Sequence, residues 1–385
     1  MKKKLIPMIA CLAAAAMLAG CGNGSSGTAD NGGSGSAEKA LRIAIVSSLS
    51  GVDDGSFHQE SYSGIVDFIA EHPGSTVTPR EETTGDTAAC IQAGQDIVAD
   101  YDAIVLDGFQ FAGIAELAAD NPGKDFILVD TFPSDADGNE VSLDNVYAMA
   151  FKEQEGGFLA GVAAALSTQT NKVAVVNGIA YPTNVNYQYG FMSGVNYSNK
   201  HYGTAAEIVE LASYAGTDVT GANVGGNYVG SFADPANGKV VGEALIKEGC
   251  DVIFVAAGAS GNGVFTAVKE SAAKDFVIGC DTDQYNDGAN GDENVILTSS
   301  LKVMGKNNKR VLGTIYDGTF KGGNYTLGAD TDSIGYVSAD GRCQLTAEAV
   351  EKIDKAYELI KNGTVVPAAS FNGLTPDSFT GLDAE

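Results

Sequence analysis

Short, nearly unbroken apolar runs recur along this chain, each followed by a stretch with helical spacing, and that alternation restricts the fold more than any other feature. Leu41–Ser47 (LRIAIVS) leads through a polar, glycine-containing loop into Phe57–Glu71, where apolar residues return at helical intervals. The pattern repeats in Tyr101–Leu106, Phe111–Ala119 and Asp125–Asp130. It resumes in Glu153–Ser167, Lys172–Val176, Val185–Ser198, Asp234–Lys247, Asp251–Val255, Gly261–Ala273 and Phe276–Ile278. Apolar runs of this length between amphipathic helices are strands buried on both faces, hence parallel sheet. About a dozen strand candidates exceed one compact sheet of usual size. The expected architecture is therefore α/β, with two doubly wound parallel-sheet lobes joined by a hinge. A change of lobe is expected near Asn145–Glu155 and again near Cys280–Asn294. That makes lobe one residues 41–150 plus about 282–305, and lobe two residues 151–281 plus about 306–370.

The chain carries 49 Asp+Glu against 23 Lys+Arg, a formal net charge of −26 over 385 residues. That balance argues against nucleic acid, which needs clustered Lys and Arg, and against electrostatic attraction to anionic lipid. The start of the chain has a different character. Met1-Lys2-Lys3-Lys4 precedes an apolar run from Leu5 to Leu18 and a small-residue end, the build of a secretory leader over residues 1–20. The run is too short for a secure membrane span. Leu18-Ala19-Gly20-Cys21 resembles the lipobox of bacterial lipoproteins, which implies acylation of Cys21 and a protein held at the extracytoplasmic face of the membrane. Residues 22–39 are rich in Gly and Ser and read as a tether. Such a segment has an r.m.s. span of roughly 23 Å.

Ligands of open α/β sheets bind at the carboxyl ends of strands. Those ends carry a recurrent chemistry here: Asp53, Asp54, Ser56, Phe57 and His58 after the first strand, then Asp107-Gly108-Phe109 and Asp130-Thr131-Phe132. In the second half come Ala257-Gly258-Ala259-Ser260-Gly261 and Asp281-Thr282-Asp283-Gln284. Carboxylates, aromatic rings and close backbone approach suit a neutral ligand with hydroxyls and a flat ring better than a phosphate. Asp54 is equally placed to cap the helix beginning near Phe57. Phe57 and Tyr62 lie five positions apart and do not share a helical face, so at most one stacks on a ligand.

Six segments resemble the basic membrane protein family, the purine nucleoside receptor lipoproteins that serve ABC importers. They are DGSFHQESYSG (54–64), NVYAMAFKEQEGGFLAGVAAAL (145–166), YVGSFADPANGK (228–239), GCDVIFVAAGASGNG (249–263), GCDTDQ (279–284) and TSSLK (298–302), in the family's order. The resemblance implies a type I periplasmic-binding-protein fold, a purine nucleoside held between lobes, a membrane permease as partner, a monomer and no cofactor. It implies that Asp54 and His58 contact base or sugar and that Phe57 or Tyr62 stacks from lobe one, opposite Phe232. Asp130 would assist from lobe one and Gly258 would bring backbone close. Asp281 with Lys302 would hold ribose hydroxyls. The chain departs from the family's usual Asp-Lys-Ser-Phe-Asn-Gln at Gly55 and His58, and has Tyr187 where Phe is common.

Other chemistries find less support. The loop from Asp283 has Tyr285 and Asn294 where a calcium-binding EF-hand needs acids. Gly258, Gly261 and Gly263 lack dinucleotide spacing, and no G-x-S-x-G occurs. Cys90, Cys250, Cys280 and Cys343 form no C-x-x-C, and three His offer no zinc cluster. Two alternatives stay open: the same fold binding a sugar or signalling ligand, and a surface nucleoside hydrolase using Asp54 or Asp281.

Overall fold

The structure, a computed structural model, describes residues 39–384. The leader, Cys21 and the tether up to Glu38 lie outside the described residues. The chain opens as β1 (Arg42–Ser48), α1 (Phe57–Glu71), β2 (Thr76–Glu82), α2 (Thr87–Ile97), β3 (Ala103–Asp107), α3 (Ala115–Asp120), β4 (Asp125–Val129) and β5 (Val146–Phe151). After Lys152 it crosses to a second lobe with α4 (Glu153–Ser167), β6 (Lys172–Asn177), α5 (Pro182–His201) and β7 (Glu207–Ile208). A small hairpin, β8 (Gly216–Thr217) and β9 (Asn223–Gly225), precedes α6 (Pro235–Lys247), β10 (Val252–Ala256), α7 (Gly261–Glu270) and β11 (Phe276–Gly279). A second hairpin, β12 (Ala289–Asn290) and β13 (Glu293–Asn294), leads to β14 (Ile296–Lys302). The chain then returns to lobe one for α8 (Met304–Asp317) and β15 (Gly323–Leu327), and ends in lobe two with β16 (Ile334–Tyr336) and α9 (Ala347–Lys361).

Each lobe is built on a six-stranded sheet, ordered β15-β5-β4-β3-β1-β2 in lobe one and β16-β14-β11-β10-β6-β7 in lobe two. All lobe-one pairings are parallel. In lobe two only the edge pair β14–β16 is antiparallel. The order reverses beside β1 and beside β6, and each reversal leaves a crevice at the strands' carboxyl ends. The strands read as apolar runs because helices cover both faces: α1 and α8 on one side of the first sheet, α2 and α3 on the other. In lobe two, α4, α5 and α9 cover one face and α6 and α7 the other.

The two-lobe architecture is as expected, but the later boundaries are corrected. β14 is a central lobe-two strand, buried along nearly its whole length, whereas the sequence pattern places residues 282–305 in lobe one. Conversely, α8 and β15 belong to lobe one, where Gly305 packs so tightly on α1 that a Cβ on Gly64 would lie 1.8 Å from the Gly305 carbonyl. The chain therefore crosses three times, at Lys152, at Val303 and through 328–333. The third crossing escapes the sequence because β15 and β16 are short and partly exposed. β2 is likewise silent: TVTPREE is a largely exposed edge strand with a proline, tolerated where one side of the ladder is open.

The FKEQEGGFLAG segment owes its glycines to packing. α4 and α5 meet backbone to backbone: a Cβ on Gly157 would lie 2.4 Å from the Tyr187 carbonyl oxygen, and one on Gly161 2.1 Å from that of Phe191. Gly190 and Gly194 on α5 face Gln154 and Phe158 of α4 at 2.2 and 2.1 Å in the same way. No side chain fits at these points, and the seam fixes where α5 presents its first turn to the cleft.

Candidate functional site

Between the lobes lies a cleft with an empty volume of about 610 Å³, counting the open solvent at its mouth. Its walls come from the carboxyl ends of β1, β3, β4, β10, β11 and β14 and from the amino ends of α1 and α5. Eight of the nine ligand residues expected from the sequence line it: Asp54, Phe57, His58, Asp130, Phe232, Gly258, Asp281 and Lys302. Tyr62 does not. Its ring packs partly buried against the lobe-one core, the consequence of lying about 140° round the helix from Phe57.

Lys302, the last residue of β14, is the electrostatic centre. Its ammonium donates to Asp130 Oδ1 at 2.6 Å and Glu153 Oε1 at 3.4 Å. It lies 5.2 Å from the ring centre of Phe57 and 5.6 Å from those of Phe151 and Tyr187. Burial by itself would lower the ammonium's pKa, but Asp130, Glu153 and Asp281 together outweigh it and hold the group charged. Burial in turn pushes both Asp130 and Glu153 up, in spite of Lys302. Three carboxylates thus surround one ammonium. Asp281 accepts from the Tyr187 hydroxyl at 3.2 Å and from the Ser56 hydroxyl at 3.1 Å. Asp130 and Asp281 both have left-handed backbones, φ 72° and 69°, a conformation that non-glycine residues hold only where the surroundings impose it, often at binding sites.

Asp54 is a helix cap. Oδ1 accepts from the backbone N–H of Ser56 at 2.9 Å and Gln59 at 3.1 Å, and Oδ2 from that of His58 at 3.2 Å. The capping reading, open at the level of sequence, describes what its carboxylate does inside the protein while one edge still borders the cleft. His58 borders the cleft, but its ring nitrogens are engaged within the protein. Nδ1 donates to Asp107 Oδ2 at 2.7 Å and Nε2 to the Ser48 carbonyl at 2.9 Å. With an acceptor at each nitrogen, both carry protons. Burial would lower its pKa, yet the hydrogen bond and charge of Asp107 raise it to about 9. The folded value lies above the ordinary 6.5, so the stabilisation is complete below about pH 6.5 and is lost as pH rises through about 9. Urea unfolding across this interval should show wild-type stability falling, and the paired variant His58→Asn/Asp107→Asn lacking that fall. Equal slopes would exclude the ion pair.

Sequence reasoning named Phe109 only among the strand-end residues and gave no ligand role to Thr183, Asn184, Tyr187 or Gln110. Thr183, Asn184 and Tyr187, all on the first turns of α5, line the cleft, as do Phe109 and Gln110 after β3. Phe109 and Tyr181 meet across the lobes with ring centres 4.0 Å apart. An aromatic residue directly after the Asp107-Gly108 strand end was a visible signal for Phe109. α5 gave none, because its polar first turn resembles any exposed helix start. Phe232 rests in a notch left by Gly178 and Gly258; a Cβ on Gly178 would lie 2.3 Å from its ring. Further bonds join the lobes beside the cleft: Gln284 Nε2 donates to the Gly55 carbonyl at 2.8 Å and the Thr282 hydroxyl to Glu60 at 3.1 Å. Cys90, Cys250, Cys280 and Cys343 are all free thiols.

Two parallel-sheet lobes, three crossings and a cleft at the strand ends give a fold shared with ABC-transporter solute-binding proteins. The structure superposes on such a protein from Aeropyrum pernix K1 with a TM-score of 0.71 and 22% identity, over 86% of this chain and 94% of that one. At the level of sequence, residues 42–219 and 214–369 match the family described as ABC transporter substrate-binding protein PnrA-like, and the chain belongs to it. It is 30% identical to the ABC transporter nucleoside-binding protein BmpA of Lactococcus lactis subsp. cremoris, covering 95% of this chain and 99% of that protein. It is 29% identical to Basic membrane protein A1 of Borrelia garinii subsp. bavariensis over 71% of this chain and 74% of that protein.

Proposed function

We propose that this substrate-binding protein, anchored at the outer face of the cell membrane by an acylated Cys21, closes its lobes on a purine nucleoside and delivers it to an ABC permease. The observation that carries the reading is the composition of the cleft: Phe57 from lobe one and Phe232 from lobe two beside Asp130, Asp281 and Lys302. Aromatic side chains hold a heterocycle by stacking, about 1–3 kcal/mol per base. Ribose hydroxyls donate to carboxylates and accept from the ammonium, each such bond contributing about 1.5–3 kcal/mol. One stack and two or three bonds reach the roughly −8 kcal/mol of a micromolar ligand. The acids around the one ammonium leave no unopposed positive charge for a phosphate, so the reading is of nucleosides and not nucleotides. Lobe closure is a hinge motion driven by contacts that both walls share. Such a receptor works as a monomer and needs neither cofactor nor nucleophile, in keeping with a family of substrate-binding proteins rather than enzymes.

Calorimetry on protein freed of co-purified ligand tests this. Inosine, guanosine or adenosine should bind at micromolar level or tighter, with the 5′-monophosphates and free sugars far weaker. Phe232→Ala should cost about 1–3 kcal/mol of that affinity while leaving the ligand-free melting temperature nearly unchanged. Stabilisation by a sugar with no response to the three nucleosides would replace this reading with a sugar receptor on the same fold. Release of free base on prolonged incubation would instead favour a hydrolase.

A further inference from the structure

We propose that Gln110 reads the edge of the bound ring and makes the receptor accept 6-oxo and 6-amino purines alike; this rests on a nucleoside occupying the cleft. Gln110 follows Phe109 at the end of β3, borders the cleft and is only 7% exposed. Its carboxamide has no hydrogen-bond partner among the described residues. The amide lies against Gly108, where a Cβ would come within 2.6 Å of Oε1 and where φ is 134°. A residue with a side chain at 108 would displace it.

Most neighbouring polar groups on the lobe-one wall are already engaged, while the Ser48 hydroxyl is buried there without a partner. Both His58 nitrogens serve Asp107 and Ser48, Asp54 caps α1, and Asp130 holds Lys302. The amide is open to the cleft and unclaimed by the protein, and a site with such a group discriminates by which ligand edges satisfy it. An amide presents one donor and one acceptor side by side. Adjacent acceptor and donor atoms occur on the edge of adenine and equally on the N1–H and C6=O edge of hypoxanthine or guanine. A neutral amide therefore satisfies both classes, where a carboxylate, which only accepts, would favour guanine with its two neighbouring donors.

The test uses the processed protein stripped of ligand, with guanosine, adenosine and purine riboside, which lacks a group at C6. For the wild type, guanosine and adenosine should bind within about tenfold of each other, and purine riboside at least tenfold more weakly. Gln110→Met, uncharged and of similar size, should bind all three within about threefold. Gln110→Glu should favour guanosine over adenosine by at least tenfold. If Gln110→Met keeps the purine riboside penalty, the role of Gln110 is overturned while nucleoside binding stands. This arm also decides the matter should the buried charge of Gln110→Glu prevent folding. If the wild type binds none of the three, the nucleoside reading falls, and this one with it.

Discussion

Lys302→Met is expected to lower the free energy of unfolding by about 3–5 kcal/mol, the range for removing one partner from a buried charge cluster, and to weaken nucleoside binding roughly 10- to 100-fold through the lost charged hydrogen bond. Methionine replaces the buried stem without large change of volume, so the loss is electrostatic. What remains is Asp130, Glu153 and Asp281 in one buried pocket with no countercharge. Acid should rescue the variant. Asp130 and Glu153 already have raised pKa values from burial, and without the ammonium they rise further. A raised carboxyl contributes stability below its ordinary pKa and loses it as pH climbs through the folded value. The variant should therefore resist urea better at pH 5 than at pH 8, and Asp130→Asn added to Lys302→Met should recover stability at pH 8 without recovering binding. A variant as stable as wild type at pH 8 would show that the ammonium does not balance these carboxylates.

Gly161→Val should be among the most damaging changes away from the cleft, costing about 3 kcal/mol or more. The first atom of any side chain there would lie 2.1 Å from the Phe191 carbonyl oxygen, and forcing two helices apart is the severe case of overpacking. Gly313 on α8 provides the control, since a Cβ there meets nothing within 4 Å. Gly313→Ala should be neutral or stabilise by up to about 1 kcal/mol through helix propensity. If denaturant midpoints of the two variants moved together, the close seam between α4 and α5 would be refuted. A displaced α5 would also shift Tyr187, so Gly161→Val should weaken ligand binding in whatever fraction still folds.

The alternation of apolar strands and helical stretches was legible because both faces of each sheet are covered, which writes burial into every strand residue. The edges were not. β2 is polar, and β15 and β16 each pair along one side with little burial, so nothing in their composition separates them from loop. The third crossing was hidden for that reason, and lobe two was assigned α8 in place of β14. In the site, residues at strand ends were legible: Asp130, Gly258 and Asp281 each follow an apolar run, whereas Lys302 entered only through the family resemblance. His58 shows what sequence leaves open. An imidazole after a strand end reads as a ligand contact until Asp107, 49 positions on, is brought against it by the pairing of β1 with β3. Gln110 was overlooked for the opposite reason, as a neutral side chain in a turn whose importance lies in having nothing to bond.

The crossings sit beside the chemistry. Glu153 directly follows the crossing at Lys152, and Lys302 directly precedes the one at Val303. On the proposed closure, the charged centre would thus occupy the fulcrum of the lobes, not the tips of the jaws. Rotation about a fulcrum moves distant points in proportion to their distance. If the proposed ligand's hydroxyls settle among these groups, even a slight shift there would be magnified at the outer rims, where a docked transporter would meet it.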